Sequence, residues 1–282
     1  MSATTLDLDH LRTWIGRTET ASDVVSEQLC RALRATLDLD PGNPGPGDPA
    51  PPAIHWCLAA PTAPMHLVGV DGHPVRGGFL PPVPLPRRMW AGGRLDIQST
   101  LQVGDRVTRR STIRDVILKE GRTGALCFVT VEHAIATQRG DAILERQDIV
   151  YREIQPTAAP LAATKPGRAA QWSRSYEATP VLLFRYSALT FNSHRIHYDR
   201  TYSVESELYR GLVVHGPLQA TLLLALASEI GGRAPARFDF RGITPLFDGA
   251  TFSANAAESG NDLDLWILNS MGGETTTARA MW

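Results

Sequence analysis

Apolar residues recur along the chain with two spacings, one typical of helices and one typical of strands. In the first half, apolar side chains at helical spacing predict a helix over residues 23–37, with Ser22 as its cap. Segments with strand character follow this helix, and turn residues separate them. The predicted strands span residues 94–98, 107–118, 124–134 and 142–151. The first half is therefore predicted to be a helix followed by an antiparallel meander.

The second half repeats this order of elements. A predicted strand over residues 181–186 leads through a polar stretch, 190–209, into a predicted helix over residues 215–230. That helix is apolar on nearly every face, which predicts that it is buried. Further strands are predicted at residues 237–243, 251–256, 263–268 and 275–282. A sheet wrapped around a buried helix, formed twice, predicts an α+β fold with an internal duplication.

Two proline-rich tracts divide the chain. Residues 40–53 hold so many proline and glycine residues that they are predicted to form a loop. Residues 156–167, rich in proline and alanine, are the best candidate boundary between the halves. The predicted organisation is a first half over residues 1–155, a linker over 156–172 and a second half over 173–282.

The charges of the chain nearly balance, with 28 Lys and Arg residues against 29 Asp and Glu residues. No overall positive field attracts nucleic acid or anionic lipid, so a local basic cluster must hold any anionic ligand. The longest apolar run, around residues 222–227, is far shorter than the ~20 residues that cross a bilayer. The N-terminus resembles neither a secretory signal nor a transit peptide, so we expect a cytoplasmic protein without membrane or nucleic-acid partners.

The three cysteines, Cys30, Cys57 and Cys127, are widely spaced and set among apolar neighbours. Their odd number predicts reduced core thiols rather than a disulfide framework or a zinc site. None has the electropositive surroundings that lower a thiol pKa, which disfavours a catalytic thiol. Motifs for serine hydrolases, nucleotide hydrolases and dinucleotide-dependent redox enzymes are absent from the sequence, so those functions lack support.

The most informative segments are LTFNSHRIHYD over residues 189–199 and GLVVHGPL over residues 211–218. Together with GGFLPPVPLPRRMWAGG over residues 77–93, they resemble the MaoC-like enoyl-CoA hydratases. The resemblance is to the branch of itaconyl-CoA hydratases, mesaconyl-CoA hydratases and type 2 hydroxyacyl-thioester dehydratases. It implies a double hotdog fold, with two antiparallel sheets that each wrap around a central helix. It also implies reversible hydration of the double bond of an acyl-CoA thioester, with the first half shaping the acyl pocket.

The resemblance implies three catalytic groups. By its spacing, His197 takes the position of the family's catalytic histidine, and Asn192 takes that of its catalytic aspartate. Because an amide cannot accept a proton as a carboxylate does, we expect His197 alone to exchange protons with water and the α-carbon, while Asn192 orients the water. Asp199, on the same loop, is the alternative carboxylate. Gly216, at a helix N-terminus, is expected to offer its amide to the thioester oxygen.

Seven further residues are candidates for substrate binding. Their side chains are expected to contact the acyl group, its carboxylate or the coenzyme phosphates: His194, Arg195, Tyr198, His215, Arg87, Arg88 and Trp90. A solvated loop and an ordinary basic strand edge are the alternatives left open for the charged members of this set. A metal cluster of His194, His197 and Asp199 is not favoured, because the sequence offers no further ligand at a recognisable spacing.

A small branched dicarboxylic acyl group, such as itaconyl or mesaconyl, is the expected substrate, carried by coenzyme A or by an acyl carrier protein arm. No metal or redox cofactor is expected, because hydration needs only proton transfer and charge stabilisation. A homodimer or larger homo-oligomer is the expected assembly. Three rival functions remain: a 3-hydroxyacyl-thioester dehydratase of fatty-acid synthesis, a hotdog thioesterase, and a non-catalytic acyl-CoA-binding protein.

Overall fold

The computed structural model describes residues 6–121, 124–154 and 168–282. In the first half, helices α1 (Leu8–Arg12) and α2 (Glu27–Thr36) flank strand β1 (Thr18–Val24). After a long irregular segment come strands β2 (Arg87–Ile97), β3 (Arg106–Gly121), β4 (Gly124–Thr137) and β5 (Gly140–Arg152). The proline- and alanine-rich tract over residues 156–167, where the boundary between the halves is predicted, lies outside the described residues.

The second half contains the corresponding elements in the same order. Strand β6 (Trp172–Glu177) leads into helix α3 (Pro180–Leu189). The long helix α4 (Gly216–Ile230) follows, and then strands β7 (Arg237–Gly242), β8 (Thr251–Ser259), β9 (Asp262–Leu268) and β10 (Glu274–Met281). Apart from β6 and α3, these elements match the predicted ones to within a few residues.

The strands of the two halves are arranged identically. The sheet order is β1-β3-β4-β5-β2 in the first half and, counted from the opposite edge, β6-β8-β9-β10-β7 in the second. Strands β2 and β7 pair antiparallel, with Leu95 opposite Phe238, and thereby join the halves. The topology confirms the internal duplication. The two predicted sheets are continuous as one ten-stranded antiparallel sheet.

Helix α4 fills the core of the second half, where it packs against β8, β9 and β10. Its apolar side chains surround the helix axis, and Leu218, Leu222 and Leu223 are each at most 2% exposed. Burying one such leucine contributes about 1.5–3 kcal/mol. The prediction of a buried helix is confirmed. Helix α2 is shorter and packs mainly against α3 and the turn Ile54–Cys57, which leaves part of the inner face of the first half-sheet open.

The start of α2 differs from the prediction. Ser22 belongs to β1, where its hydroxyl lies 3.3 Å from the hydroxyl of Thr108 on β3. Ser26 caps the helix instead, because its hydroxyl accepts the N–H of Leu29 at 3.1 Å. The predicted helix over residues 23–37 was therefore placed a turn too early.

The predicted strand over residues 181–186 was wrong, because these residues lie in helix α3. Thr179 caps that helix by accepting the N–H of Leu182 at 3.1 Å, and Pro180 occupies the first turn, where a missing N–H costs nothing. Leu183, Tyr186 and Ser187 are buried at helical spacing. The edge strand of this half is β6, which pairs with β8.

Other features agree with the sequence. Residues 40–53 form no helix or regular strand, as expected for a loop. Cys30, Cys57 and Cys127 are free and buried, and burial raises the pKa of Cys57 to about 12, as expected for a core thiol. Within the described ranges, no helix combines the length and the apolar character needed to span a bilayer.

Candidate active site

A cavity of about 1060 Å³ lies between elements of both halves. The second half lines it with Asn192, His194, His197 and Gly216. Among the described lining residues, arginines outnumber carboxylates: Arg76, Arg87, Arg88, Arg109, Arg152, Arg210 and Arg241 against Glu19 and Glu145. The cavity is thus locally positive although the chain carries a net charge of −1. Such a site suits an anionic ligand.

The loop over residues 190–199 is anchored to the end of α3. The hydroxyl of Thr190 donates to the carbonyl oxygen of Tyr186 at 2.8 Å. Phe191 adopts a φ of 49°, which turns the chain out of the helix. The N–H of Asn192 then donates to the carbonyl oxygen of Ser187 at 2.8 Å. The short helical turn Arg195–His197 follows from this fixed start.

His197 lines the cavity with a side chain that is only 6% exposed. Its Nδ1 lies 2.7 Å from the carbonyl oxygen of Val213. Because a carbonyl only accepts, Nδ1 carries the proton and Nε2 is the basic nitrogen. Burial lowers the pKa of His197 to about 4. The imidazole is therefore neutral at pH 7, the state in which it can accept a proton.

The N-terminus of α4 lies beside this imidazole. The ring of His215, the residue before Gly216, stacks on the ring of His197 with centroids 3.6 Å apart, and its Nε2 lies 2.8 Å from the hydroxyl of Ser187. No side chain caps α4. The N–H of Gly216 has no hydrogen-bond partner in the described part of the chain. A free amide at the positive end of a helix is a suitable donor to a developing oxyanion.

Asn192 and Asp199, the two residues predicted as possible catalytic partners of His197, have different surroundings. Asn192 lines the cavity, and its Oδ1 accepts the backbone N–H of His194 at 3.0 Å. Its NH₂ group is thus the end that remains free to donate. Asp199 does not line the cavity and instead pairs with Arg195, with Nη2 and Oδ2 2.7 Å apart. The carboxylate of Asp199 is therefore engaged away from the cavity.

Comparison with known proteins identifies the family. The pattern of the hydroxyacyl-thioester dehydratase type 2 family matches residues 53–248, well over half of the chain. The chain belongs to this family. A mesaconyl-C(4)-CoA hydratase from Chloroflexus aurantiacus is 46% identical over 253 residues, which cover 89% of this chain and 90% of that protein. A mitochondrial hydroxyacyl-thioester dehydratase type 2 from Schizosaccharomyces pombe is 39% identical over 100 residues, 34% of this chain and 32% of that protein.

Solved structures of low sequence identity share the fold. HtdX from Mycobacterium tuberculosis has a TM-score of 0.68 at 20% identity, covering 94% of this chain and 99% of that chain. A second Mycobacterium tuberculosis protein, described as having a double hotdog fold, has a TM-score of 0.55 at 13% identity, covering 94% and 95% of the two chains. These likenesses confirm the predicted double hotdog fold. Membership of the dehydratase type 2 family confirms the predicted enzyme class, a hydro-lyase.

In this member of the dehydratase type 2 family, the first half also brings ionisable groups to the site. Asp71 Oδ2 lies 3.0 Å from Nδ1 of His73, and the ring of His73 packs on that of His194 with centroids 4.0 Å apart. Burial opposes ionisation of Asp71, but its hydrogen bond to His73 and the His73 charge outweigh this and lower the pKa of Asp71 to about 2. No motif in the sequence predicts this pair, because it lies about 120 residues from the loop that it contacts.

The segment that carries this pair is docked onto the loop over residues 190–199. The N–H of Arg195 donates to the carbonyl oxygen of Asp71 at 2.9 Å. Gly72, at a φ of +88°, lies so close to Ser193 that a Cβ there would be 1.8 Å from the Ser193 carbonyl oxygen. Only glycine combines this conformation with this approach.

Asp71, His73 and His194 each place one potential metal-ligand atom within 4.8 Å of the others. Burial and, after it, the charge of Arg88 lower the pKa of His73 to about 4, against the opposing effect of Asp71. A guanidinium this close creates a positive potential that disfavours a divalent cation.

The adjacent arginines of β2 lie on opposite faces of the sheet, as alternate strand residues do. Arg87 is 7% exposed, its Nε lies 3.0 Å from Glu207 Oε2, and its guanidinium covers the ring of Tyr209. This buried ion pair engages Arg87, which also lines the cavity. Arg88 lines the cavity and makes no ion pair with a carboxylate of the described residues.

Trp90 forms part of the cavity wall. Its Nε1 donates to the carbonyl oxygen of Gly92 at 2.9 Å, and its ring packs edge-on against Trp56 and Phe240. The backbone oxygen of Trp90 would lie 3.8 Å from a Cβ at Gly216. This contact places Trp90 next to the free amide of α4.

Arg195 and Tyr198, two predicted substrate contacts, do not line the cavity. Besides pairing with Asp199, Arg195 donates to the carbonyl oxygen of Val70 at 3.0 Å. Tyr198 is 47% exposed and its hydroxyl donates to the carbonyl oxygen of Ser193 at 3.1 Å. Both side chains hold the loop together. His215 also does not line the cavity, and it supports His197 through ring stacking.

Polar residues of the cavity wall were also missed. Gln219 on α4 is 3% exposed, and its Oε1 accepts hydrogen bonds from the hydroxyls of Thr275 and Thr276 at 2.7 and 2.9 Å. A buried polar residue on an otherwise apolar helix was the available signal.

A second polar group lies on the inner face of the first half-sheet. Glu19, Ser111, His133 and Glu145 stand opposite one another across β1, β3, β4 and β5. Burial raises the pKa of Glu145 to about 7, opposed by a 3.0 Å hydrogen bond from Nε1 of Trp56. Each of these residues lies on a different strand, so no local sequence pattern links them.

Proposed function

We propose that the chain catalyses the reversible hydration of a short branched dicarboxylic enoyl-CoA, such as mesaconyl-CoA or itaconyl-CoA. The observation that carries the proposal is the pairing of two groups in one positive cavity. One is the neutral imidazole of His197, whose Nε2 is free to act as a base. The other is the unpartnered N–H of Gly216 at the tip of α4. Hydration needs a base for water and a donor for the thioester oxygen.

In the hydration direction, Nε2 of His197 takes a proton from water while the water oxygen bonds to the β-carbon. The electrons of the double bond move towards the thioester, and the negative charge collects on its oxygen. The N–H of Gly216 donates to that oxygen, with support from the positive end of α4. The imidazolium of His197 then returns its proton to the α-carbon. The reverse sequence removes water.

Asn192 orients the water in this scheme. Its Oδ1 is occupied by the N–H of His194, so its NH₂ group is available to hydrogen-bond the water oxygen. An amide cannot take the second proton-transfer role of a carboxylate, which leaves His197 as the single acid and base. Coenzyme A enters as part of the substrate, and the addition of water to a double bond includes no redox step.

Two observations support a dicarboxylic acyl group. The relative that is 46% identical over 89% of this chain is a mesaconyl-C(4)-CoA hydratase. The cavity that holds His197 also contains the arginine excess described above, which favours a substrate with negative charge beyond that of the coenzyme. A cytoplasmic location and a homodimer or larger assembly stay predictions from the sequence.

The test is incubation of the purified protein with mesaconyl-CoA, itaconyl-CoA and crotonyl-CoA, read by mass spectrometry for the gain of one water. We expect addition to a dicarboxylic thioester to be preferred over addition to crotonyl-CoA. His197→Gln serves as the inactive control. Equal or better use of crotonyl-CoA would defeat the dicarboxylate proposal, and release of free thiol without water addition would indicate a thioesterase.

A second candidate is the dehydration of a linear 3-hydroxyacyl thioester. The family match over residues 53–248 favours it, because it names hydroxyacyl-thioester dehydratases. The chemistry at His197 and Gly216 would be the same in reverse. Turnover of 3-hydroxybutyryl-CoA, compared with a hydroxylated dicarboxylic thioester, separates the two. A chain that binds these thioesters but turns over none of them would be a non-catalytic acyl-CoA-binding protein.

A further inference from the structure

We infer that Arg88 binds the distal carboxylate of the acyl group and thereby selects dicarboxylic over neutral substrates. The inference rests on the proposed function and deepens it by assigning one of the seven cavity arginines to the substrate. Three observations support this assignment: Arg88 forms no ion pair with a carboxylate of the described residues, it faces the catalytic loop, and it lies within reach of a short acyl chain.

Two of these arginines are already engaged, and a third lies on the other face of the sheet. Arg87 forms the buried ion pair with Glu207. Arg152 stands opposite Arg87 in the β2–β5 register, on the face that Arg88 does not share. Arg76 donates to the carbonyl oxygens of Val83 and Pro86 at 2.6 Å each. Arg87 and Arg76 are thus committed to other acceptors, and Arg152 starts from the face of the sheet opposite to Arg88.

Arg88 has no carboxylate partner among the residues described, and it lines the cavity. Its charge acts on His73 and His194 from nearby, as a secondary contribution after burial to the lowered pKa of each. The ring of His194 lies 5.4 Å from that of His197. The guanidinium of Arg88, which also interacts with the hydroxyl of Tyr151 and acts on the Asp71 carboxylate, therefore lies on the same side of the cavity as the catalytic imidazole.

The distances along the sheet fit a short acyl chain. Arg88 is two residues from Trp90 on the same face of β2, about 6.6 Å along the strand. Trp90 in turn adjoins Gly216, the predicted donor to the thioester oxygen. In a four-carbon dicarboxylic chain, the distal carboxylate lies three carbon–carbon bonds, or about 4 Å, from the thioester carbon. The flexible Arg88 side chain can span the rest of the distance between its position on β2 and the distal carboxylate.

Arg109 is the strongest competing candidate, because its Nε is buried without a hydrogen-bond partner among the described residues. It lies on β3, however, and β3 is separated from β2 by β4 and β5. Three inter-strand spacings amount to about 14 Å along the sheet. A substrate held at Gly216 would need a considerably longer chain to reach it, so Arg109 does not fit a four-carbon acyl group.

The test compares two thioesters in wild type and in Arg88→Met. One is mesaconyl-CoA, and the other is its analogue with a carboxamide in place of the distal carboxylate. We expect Arg88→Met to lower kcat/KM for mesaconyl-CoA about 10- to 100-fold relative to the analogue, because a charged hydrogen bond is lost only with the former. Arg114→Gln, which removes an exposed arginine that does not line the cavity, should leave this ratio unchanged.

The possible results separate the two proposals. A wild-type protein that hydrates neither thioester contradicts the proposed function itself. A wild-type protein that hydrates mesaconyl-CoA, together with an unchanged ratio in Arg88→Met, overturns the assignment of Arg88 alone. Should Arg88→Met fail to fold, Arg88→Lys keeps the charge but loses the two-point fork of donors. A several-fold lower ratio is then expected, and an unchanged ratio counts against Arg88.

Discussion

Replacing Gly72 by alanine tests whether docking of the first half positions the catalytic loop. A Cβ at Gly72 would lie 1.8 Å from the carbonyl oxygen of Ser193 and 2.7 Å from its carbonyl carbon. Both are backbone atoms, so no side-chain rotation relieves the clash. Gly47 is a matched control, because it has the same φ of +88° and a Cβ there would meet nothing within 4 Å. The cost of a left-handed alanine is thus common to both variants.

The difference between the two variants isolates the clash. Overpacking of this kind costs about 1–3 kcal/mol, so Gly72→Ala should be less stable than Gly47→Ala by that amount. Relief of the clash requires the Ser193 backbone to move by more than an ångström, and Ser193 is the neighbour of Asn192 in the loop that presents His197. A displacement of that size near reacting groups costs about 10²-fold in rate.

Urea unfolding would report the free energy of unfolding of both variants, and kcat/KM with mesaconyl-CoA would report catalysis. We expect Gly47→Ala to retain activity within a few-fold of wild type. Equal stability and equal activity of the two variants would refute the reasoning, because it would mean that the segment over residues 69–73 is not held against the catalytic loop.

Three further outcomes are expected. Burial lowers the pKa of His197 to about 4, so its basic form persists on acidification. We therefore expect kcat/KM for hydration to stay constant from neutrality to about pH 5 and to decrease at lower pH. A decrease centred near pH 6.5 would point to another group. Asn192→Asp would add a negative charge near this imidazole and raise its pKa, so the acid limb should move upward by about one pH unit; an unmoved limb would argue against their proximity. Acid should also destabilise the fold. The pKa of His197 is lower in the folded protein than its value of 6.5 in the unfolded chain. Between these two pKa values the unfolded chain binds more protons than the folded protein. The free energy of unfolding therefore decreases by about 3 kcal/mol as the pH falls from 6.5 to 4. Urea midpoints at pH 7.5 and 5 would check this, and equal midpoints would contradict it.

The sequence predicted those elements whose periodicity was unambiguous. The all-round apolar pattern of residues 215–230 could belong only to a buried helix, and α4 matches it. The run VLLFRY over residues 181–186 was ambiguous, because a short apolar segment fits a buried strand and a helix equally well. The pair Thr179 and Pro180, a cap followed by a favourable first-turn residue, was the local signal that distinguished them.

The candidate site was predictable only where its residues share one segment. Asn192 and His197 are five positions apart on one loop, so a motif could find them. Asp71 and His73 reach the same place through an irregular segment of the other half, and their position depends on backbone contacts with residues 193 and 195. Such contacts between distant segments leave no periodic trace in the sequence.

The two halves share one topology, but the inner face of the sheet is apolar in the second half and partly polar in the first. This difference explains how a duplicated fold holds a single site. In the second half, Ala256, Leu265 and Ala278 stand opposite one another across β8, β9 and β10, and α4 covers those strands. In the first half, the row that contains His133 and Glu145 is polar. His133 and Glu145 already have hydrogen-bond partners there, since Nδ1 of His133 lies 2.8 Å from the hydroxyl of Ser111 and Nε1 of Trp56 donates to Glu145 at 3.0 Å. Among the described residues, no helix of the length of α4 packs over this row. The space is left open instead, so one half supplies the helix tip and the imidazole while the other supplies the room for a substrate.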